Sequence, residues 1–310
     1  AEPASLEAAS QAIRARFAAG QMPPDIAAAL LAAWDALGRP AVAVRSSATA
    51  ADLPGLSFAG QQDTFLNVVE AEPLRRAVVD CWSSLWTARA IGYRARSGID
   101  PRSVALAVVV QEMVDSEVSG ILFTANPLSG RRGEMVVDAT LGLGEALVGG
   151  QVEPDHYVVD SAGSLVQRTV GSKAAVVRAR AGGGTVLERA EAAARPALDE
   201  AALQELAGLG RQAGALFGAP QDIEWAGAGG RLYLLQSRPI TTLYPVPPGL
   251  PAGALRVFLS FGAVQGMLEP ITPLGRDLMR GAIAGASRMF GYRYVLEDIP
   301  ALQEAGERLW

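Results

Sequence analysis

Apolar residues return at helical spacing twice within the first 38 positions. Leu6, Ala9, Ile13 and Phe17 predict a helix that stops near Gly20. Pro24 suits the first turn of a second helix with Ile26, Leu30, Trp34 and Leu37 on its apolar face and Gly38 as its stop. A short apolar strand over 41–44 runs straight into Arg45-Ser46-Ser47; a loop rich in Ala, Gly and Pro follows to about Gly60, then an extended segment over 64–69. Pro73 begins a long helix that buries Leu74, Val78, Cys81, Trp82, Leu85 and Trp86 and finishes by Gly98.

From there the period changes. The run over 104–110 is continuous and β-rich, the pattern of a strand buried on both faces. Shorter strands over 121–124 and 135–137 flank a Pro-Leu-Ser-Gly turn, and a glycine-rich stretch over 142–150 precedes a strand over 157–159. Residues 173–197 are polar and Ala/Gly-rich, as expected of surface connections around a strand or two. Leu203, Leu206, Ala213 and Leu216 mark a helix, followed by a hairpin of Asp222-Ile223-Glu224-Trp225 and a strand over 232–238. The proline cluster over 244–254 reads as a stiff linker, and an apolar strand over 257–261 starts a new unit in 255–310. No internal repeat is visible. The order is α+β, with one domain over 1–243 and the beginning of a second.

Composition narrows the function classes. Half the 310 residues are apolar and 19% are charged, which fits a globular core. A net charge of −5 with no basic run disfavours a nucleic-acid partner. The longest apolar run is far short of the roughly 20 residues that span a bilayer. The single cysteine, Cys81, excludes an internal disulfide framework and fits a reducing, cytoplasmic setting. The single histidine, His156, excludes a multi-histidine metal site. Of 27 basic residues only Lys173 is a lysine. The sequence lacks an initiator methionine, and we expect it to be a piece of a longer polypeptide.

Several residues could carry chemistry. Arg45, at the end of an apolar strand and before two serines, could pair with a phosphate in bidentate fashion, or could cap a helix or neutralise a carboxylate. Strand parity puts Asp222 and Glu224 on one face of the hairpin, and Gln236 and Arg238 on one face of its partner strand. If the two faces coincide, carboxylate and amide oxygens could hold Mg²⁺ while arginine takes the attached phosphates; otherwise the hairpin carries a surface ion pair. Gln111 follows the 104–110 strand at a hinge that could offer backbone groups to an adenine edge. Gly142 and Gly144 make half of a dinucleotide fingerprint without its third glycine, and no Gly-Lys-Ser/Thr exists, so neither a Rossmann site nor a P-loop is indicated. His156, entering a strand, and Cys81, on an apolar helix face, read as structural.

Taken together and in order, the segments AVRSSATAADLPGLSFAGQQDTFLNV, VVVQEMV, SGILFTANPLSG, GLGEALVGGQVEPDHYVVD, PQDIEWA and LLQSRPITTL resemble the ATP-binding domain of the pyruvate phosphate dikinase, phosphoenolpyruvate synthase and rifampicin phosphotransferase family, over about residues 40–243. The resemblance implies an ATP-grasp fold with ATP clamped between two lobes. It implies that Arg45 contacts phosphate, Gly60 brings backbone amides to it, Thr64 adds a hydroxyl, and Gln111 lies at the adenine side. Glu224 and Gln236 would hold Mg²⁺ and ATP, and Arg238 would clamp the phosphates; Asp222 also matches the motif. The family reaction cleaves ATP to AMP and phosphate and passes the β-phosphate, through a histidine on a separate swivelling domain, to a small-molecule acceptor.

The departures also matter. The family's Gly-Gly-Lys segment, whose lysine grips the phosphates, has no counterpart here, and Lys173 stands in a different context. The phosphohistidine domain is likewise missing, so the isolated chain is expected to be inactive. Residues 256–275 resemble the start of a rifampicin-binding domain, which favours a rifamycin-like acceptor over pyruvate. A non-catalytic nucleotide-binding module, or a dehydrogenase resting on Gly142 and Gly144 alone, are the competing readings.

Overall fold

The computed structural model describes residues 3–48, 64–96, 98–190 and 195–243. Gly60, the 244–254 linker and the 255–310 segment lie outside the described residues. The elements run α1 (Pro3–Ala19), α2 (Pro24–Ala36), β1 (Val42–Ala48), β2 (Thr64–Val68), α3 (Ala71–Ser84), α4 (Ala88–Arg96), a 3₁₀ turn (Pro101–Ser103), β3 (Leu106–Glu112), β4 (Val118–Phe123), β5 (Glu134–Leu141), α5 (Glu145–Val148), β6 (Asp155–Asp160), β7 (Leu165–Thr169), β8 (Ala175–Ala179), β9 (Thr185–Arg189), α6 (Glu200–Phe217), β10 (Gln221–Ala228) and β11 (Arg231–Pro239).

The strands form antiparallel sheets in the orders β2-β1-β3, β11-β10-β4-β5-β6-β7 and β8-β9. Each of the two larger sheets covers one face with helix. In the three-stranded sheet Val42 and Val44 pack against Leu74, Val78 and Cys81 of α3 and Trp34 of α2. In the six-stranded sheet Leu122, Val137, Tyr157, Ile223 and Trp225 pack against Leu203, Leu206 and Ala213 of α6. Asp199 caps α6, its Oδ1 accepting from the Ala202 amide at 2.8 Å, and Gly218 ends the helix in the left-handed conformation at φ +67°. Gly210 lets α6 sit close on the sheet, since a Cβ there would lie 2.7 Å from Leu122 Cδ2. The alternation along each strand therefore leaves the opposite faces of both large sheets for other work.

Several expectations change. The long helix expected from Pro73 to Gly98 begins at Ala71 and is two helices, broken after Ser84. Ser83 and Ser84 turn their hydroxyls back onto the Asp80 and Cys81 carbonyls, competing with the helix ladder, and the Thr87 hydroxyl then accepts from the Ala90 amide. The strand expected over 104–110 starts at Leu106 and includes Gln111. It is an edge strand half-buried on one face and exposed on the other, with Val109 48% exposed; a run of β-branched residues does not by itself count buried faces. Arg45, Ser46 and Ser47 continue β1 rather than leaving it. Leu37 and Leu216, expected on buried faces, are exposed at their helix ends, Leu216 at 79%. Residues 173–197 contain the β8–β9 hairpin. With antiparallel sheets on both sides, the Gly142-Gly144 stretch has no parallel βαβ setting, and the dehydrogenase reading falls.

Candidate functional site

A cavity of about 450 Å³ lies between the helix-free faces of the two large sheets. Ala43, Arg45 and Thr64 line it from β1 and β2, Gln111 to Val114 from the end of β3, and Ser119, Ile121 and Glu224 from β4 and β10. Its third wall is α5 with its flanking residues, from Leu143 to Gly149. The glycine-rich stretch is therefore a wall of this cavity, and Glu145 and the Ser119 hydroxyl, which donates to the Gly142 carbonyl at 2.6 Å, are lining residues that the motif alone did not single out.

Strand parity places the hairpin residues as the sequence predicts. Ile223 and Trp225 go to the α6 core, while Asp222 and Glu224 go to the other face. Across the β10–β11 ladder Glu224 stands opposite Gln236 and Asp222 opposite Arg238. The pairing then skips: Trp225 faces Leu234, so Leu235 is one residue too many for a regular ladder. The carbonyl of this extra residue accepts a hydrogen bond from Gln111 Nε2 at 3.1 Å. The bulge thus ties β11 of one sheet to β3 of the other.

Arg45 makes the second tie. From β1 its guanidinium forms an ion pair with Glu224 on β10, and a longer bond of 3.4 Å to Gln111 Oε1. Thr64 is the cross-strand partner of Arg45 on β2. Arg45, Thr64, Gln111 and Glu224 all border the one cavity. Arg238 donates to Asp222 at 2.8 Å on the same sheet face as Glu224 but is not among the cavity-lining residues, nor is Gln236, which is exposed beside them. Burial pushes the Asp222 carboxyl above its usual value, opposed by the Arg238 charge, and Glu224 adds to the rise.

The donor set fits a small hard cation. Glu224, Asp222 and the Gln236 amide offer oxygens, while no cluster of three or more His, Cys, Asp or Glu side chains exists among the described residues. A cation such as Mg²⁺ takes one or two protein carboxylates and completes its shell from water and substrate phosphates.

The remaining candidates are structural. His156, on the same sheet face, pairs its Nδ1 with Asp138 Oδ1 at 2.8 Å across the β5–β6 ladder. Cys81 is buried in the α3 core. Lys173 lies in no phosphate site: it is fully buried, its ammonium paired with Asp155 and donating to the Gly171 carbonyl at 2.9 Å. The same carboxylate accepts from the Gly171 amide, the Ala197 amide and the Tyr157 hydroxyl at 2.9, 2.6 and 3.0 Å. No helix among the described residues is long and apolar enough to cross a membrane.

Residues 1–245 match the family described as pyruvate phosphate dikinase, AMP/ATP-binding domain. The chain is 45% identical over 301 residues to a rifampicin phosphotransferase of Streptomyces sp, covering 96% of the chain and 34% of that protein. It is 50% identical over 260 residues to the rifampicin phosphotransferase of Streptomyces sviceus, covering 83% and 30%. It is 43% identical over 255 residues to the phosphoenolpyruvate synthase of Pyrococcus furiosus, covering 77% and 31%. The chain spans about a third of the length of these curated relatives.

Proposed function

Because the chain belongs to the pyruvate phosphate dikinase AMP/ATP-binding domain family, we propose that it is the ATP-binding part of a dikinase-type phosphotransferase with an ATP-grasp fold. ATP occupies the cavity between the two sheets. The observation that carries the reading is the convergence of Arg45, Gln111 and Glu224, from three strands of two sheets, on one cavity. Gln111 and the residues after it border the adenine end. Arg45, Thr64 and Arg238 serve the phosphates, with Gly60 contributing backbone amides to them.

Glu224 and Gln236 hold Mg²⁺, with Asp222 beside them. The cation, when bound with ATP, draws charge from the phosphoryl oxygens as they transfer. The protein's own part is positioning and electrostatic: arginines and amide donors fixed where negative charge develops. For phosphate to bind Arg45 and a cation to bind Glu224, their mutual ion pair must open, so each exchanges one opposite charge for another.

In the intact protein ATP is cleaved to AMP and inorganic phosphate, and the β-phosphate passes to a histidine on a swivelling domain and then to the acceptor. A rifamycin-like acceptor is favoured, since residues 256–275 resemble the start of a rifampicin-binding domain and rifampicin phosphotransferases match 45% and 50% of the aligned residues. Residues 244–254 are a linker to this second domain, 255–310. Pyruvate is the second reading, favoured by the match to a phosphoenolpyruvate synthase.

Phosphorus NMR of the full-length protein with MgATP, in parallel with a rifamycin and with pyruvate, tests both readings. AMP, phosphate and a phosphorylated rifamycin are expected. Phosphoenolpyruvate instead would select the synthase, and ADP as the only nucleotide product would sink the dikinase reading.

A further inference from the structure

Asn67 lies outside the group of residues just described, yet it is tied to the structure around the cavity by three hydrogen bonds. It sits in a bulge of β2: Phe65 faces Val44 and Val68 faces Val42, so Leu66 and Asn67 share one partner position. Its φ is +55°, a left-handed conformation that asparagine tolerates better than most side chains. The buried side chain reaches the turn of the β8–β9 hairpin, where its amide nitrogen donates to the Arg180 and Gly184 carbonyls at 2.8 and 2.7 Å. The Gly184 amide donates back to the Asn67 carbonyl at 2.9 Å.

The same hairpin is fixed elsewhere to the opposite side of the cavity. Val177 bridges Gly142 and accepts from the Leu143 amide at 2.9 Å. Leu143, Ala146 and Val177 pack together with Met113. Thr185, next to the turn, donates its hydroxyl to Glu145 at 2.9 Å. One two-stranded hairpin thus runs from the strand that carries Thr64 and pairs with Arg45 to the α5 wall.

We propose that Asn67 is a positioning residue for nucleotide binding, holding through the β8–β9 hairpin the β1–β2 side of the cavity at a fixed separation from the α5 wall. This rests on reading the cavity as the ATP site. A nucleotide must meet an adenine edge and a phosphate clamp at once, so a small drift of one wall weakens both sets of contacts. The substitution Asn67→Gly keeps the left-handed backbone and removes only the amide. The Arg180 and Gly184 carbonyls each keep one backbone donor, from Gly183 and Arg180 respectively, so the fold survives. Asn67→Asp is nearly isosteric but turns acceptors toward two carbonyl oxygens.

The test measures MgATP affinity by calorimetry, and amide hydrogen exchange over 144–149 and 180–185, for the whole chain and its variants. Val159→Ala, in the α6-side core, is the control that lowers stability without touching the hairpin. We expect both Asn67 variants to bind MgATP about tenfold more weakly, a loss of roughly 1.4 kcal/mol, and the 144–149 amides to exchange faster. The control should change neither. Wild-type affinity in Asn67→Gly, or an equal loss in the control, overturns the proposal. If the wild-type chain binds no MgATP, the nucleotide reading fails; unchanged exchange over 144–149 in Asn67→Gly then overturns the positioning role independently.

Discussion

The six-stranded sheet carries cation–carboxylate pairs on both faces, and Asp155 with Lys173 on one is built differently from Glu224 with Arg45 on the other. Asp155, on the α6 face, is fully buried with Lys173, and its two oxygens accept four donors in all. Glu224, on the cavity face, is partly exposed, and Arg45 is the partner that reaches it from the other sheet. A buried charge must be fully satisfied within the protein or it destabilises the fold. A charge at the rim of a cavity can leave one oxygen to water and later to a ligand. The saturated pair is a structural knot joining β6 to the segments around Gly171 and Ala197, and the open pair is the one that can exchange partners.

Breaking the saturated pair should have the largest effect. Asp155→Ala leaves a buried ammonium, two amides and a hydroxyl without their acceptor, and we expect a loss of about 3–5 kcal/mol in urea unfolding. Lys173→Met should cost less, because three donors still hold the carboxylate; an equal cost would mean that the charge pair, rather than the network, carries the stability. Breaking the open pair should separate binding from stability. Glu224→Gln is expected to weaken MgATP binding by roughly tenfold to a hundredfold, the scale of one charged hydrogen bond, with an unfolding midpoint close to wild type. A matching fall in stability would place Glu224 in the knot's class.

Tyr157 sharpens the contrast by pH. Burial, with Asp155 nearby, pushes its phenol up to about 12 from 10.0. A raised folded-state pKa favours the neutral form in the native protein, so this contribution is intact below pH 10 and is lost as the pH rises through about 12. Wild-type stability should therefore fall more steeply across that window than that of Tyr157→Phe, which at neutral pH should cost only about 1 kcal/mol. Parallel slopes in alkaline urea titrations would remove the phenol from the account. The smallest effect belongs to Leu216→Ser at the exposed end of α6, expected to stay within about 0.5 kcal/mol by thermal unfolding.

The sequence disclosed which side chains share a strand face better than the connections that hold those faces together. Parity alone sorted Asp222 and Glu224 from Ile223 and Trp225, because the strand period of two does not depend on what lies around it. Parity does not give the neighbour across the cavity, so the sequence leaves Arg45 open as phosphate ligand or carboxylate partner; in the structure it is paired with Glu224. The 104–110 run has the pattern of a strand buried on both faces yet forms an edge strand, because β-branched residues suit an edge beside a cavity as well as a central position. Asn67 gave no local signal, since its partners lie more than 110 positions away. Lys173 stands out by count, the one lysine among 27 basic residues, and is fully buried against Asp155.

Leu235 shows that this site depends on chain length as well as on composition. A hairpin one residue shorter would make a more regular ladder, without the carbonyl that receives Gln111. Removing that residue would leave Gln236 opposite Glu224 and Arg238 opposite Asp222, and would erase only the tie from β11 to β3. In a family's history such a position would be marked less by which amino acid fills it than by the scarcity of deletions. What the molecule needs at Leu235 is a backbone oxygen in the right place, and only an extra residue supplies it.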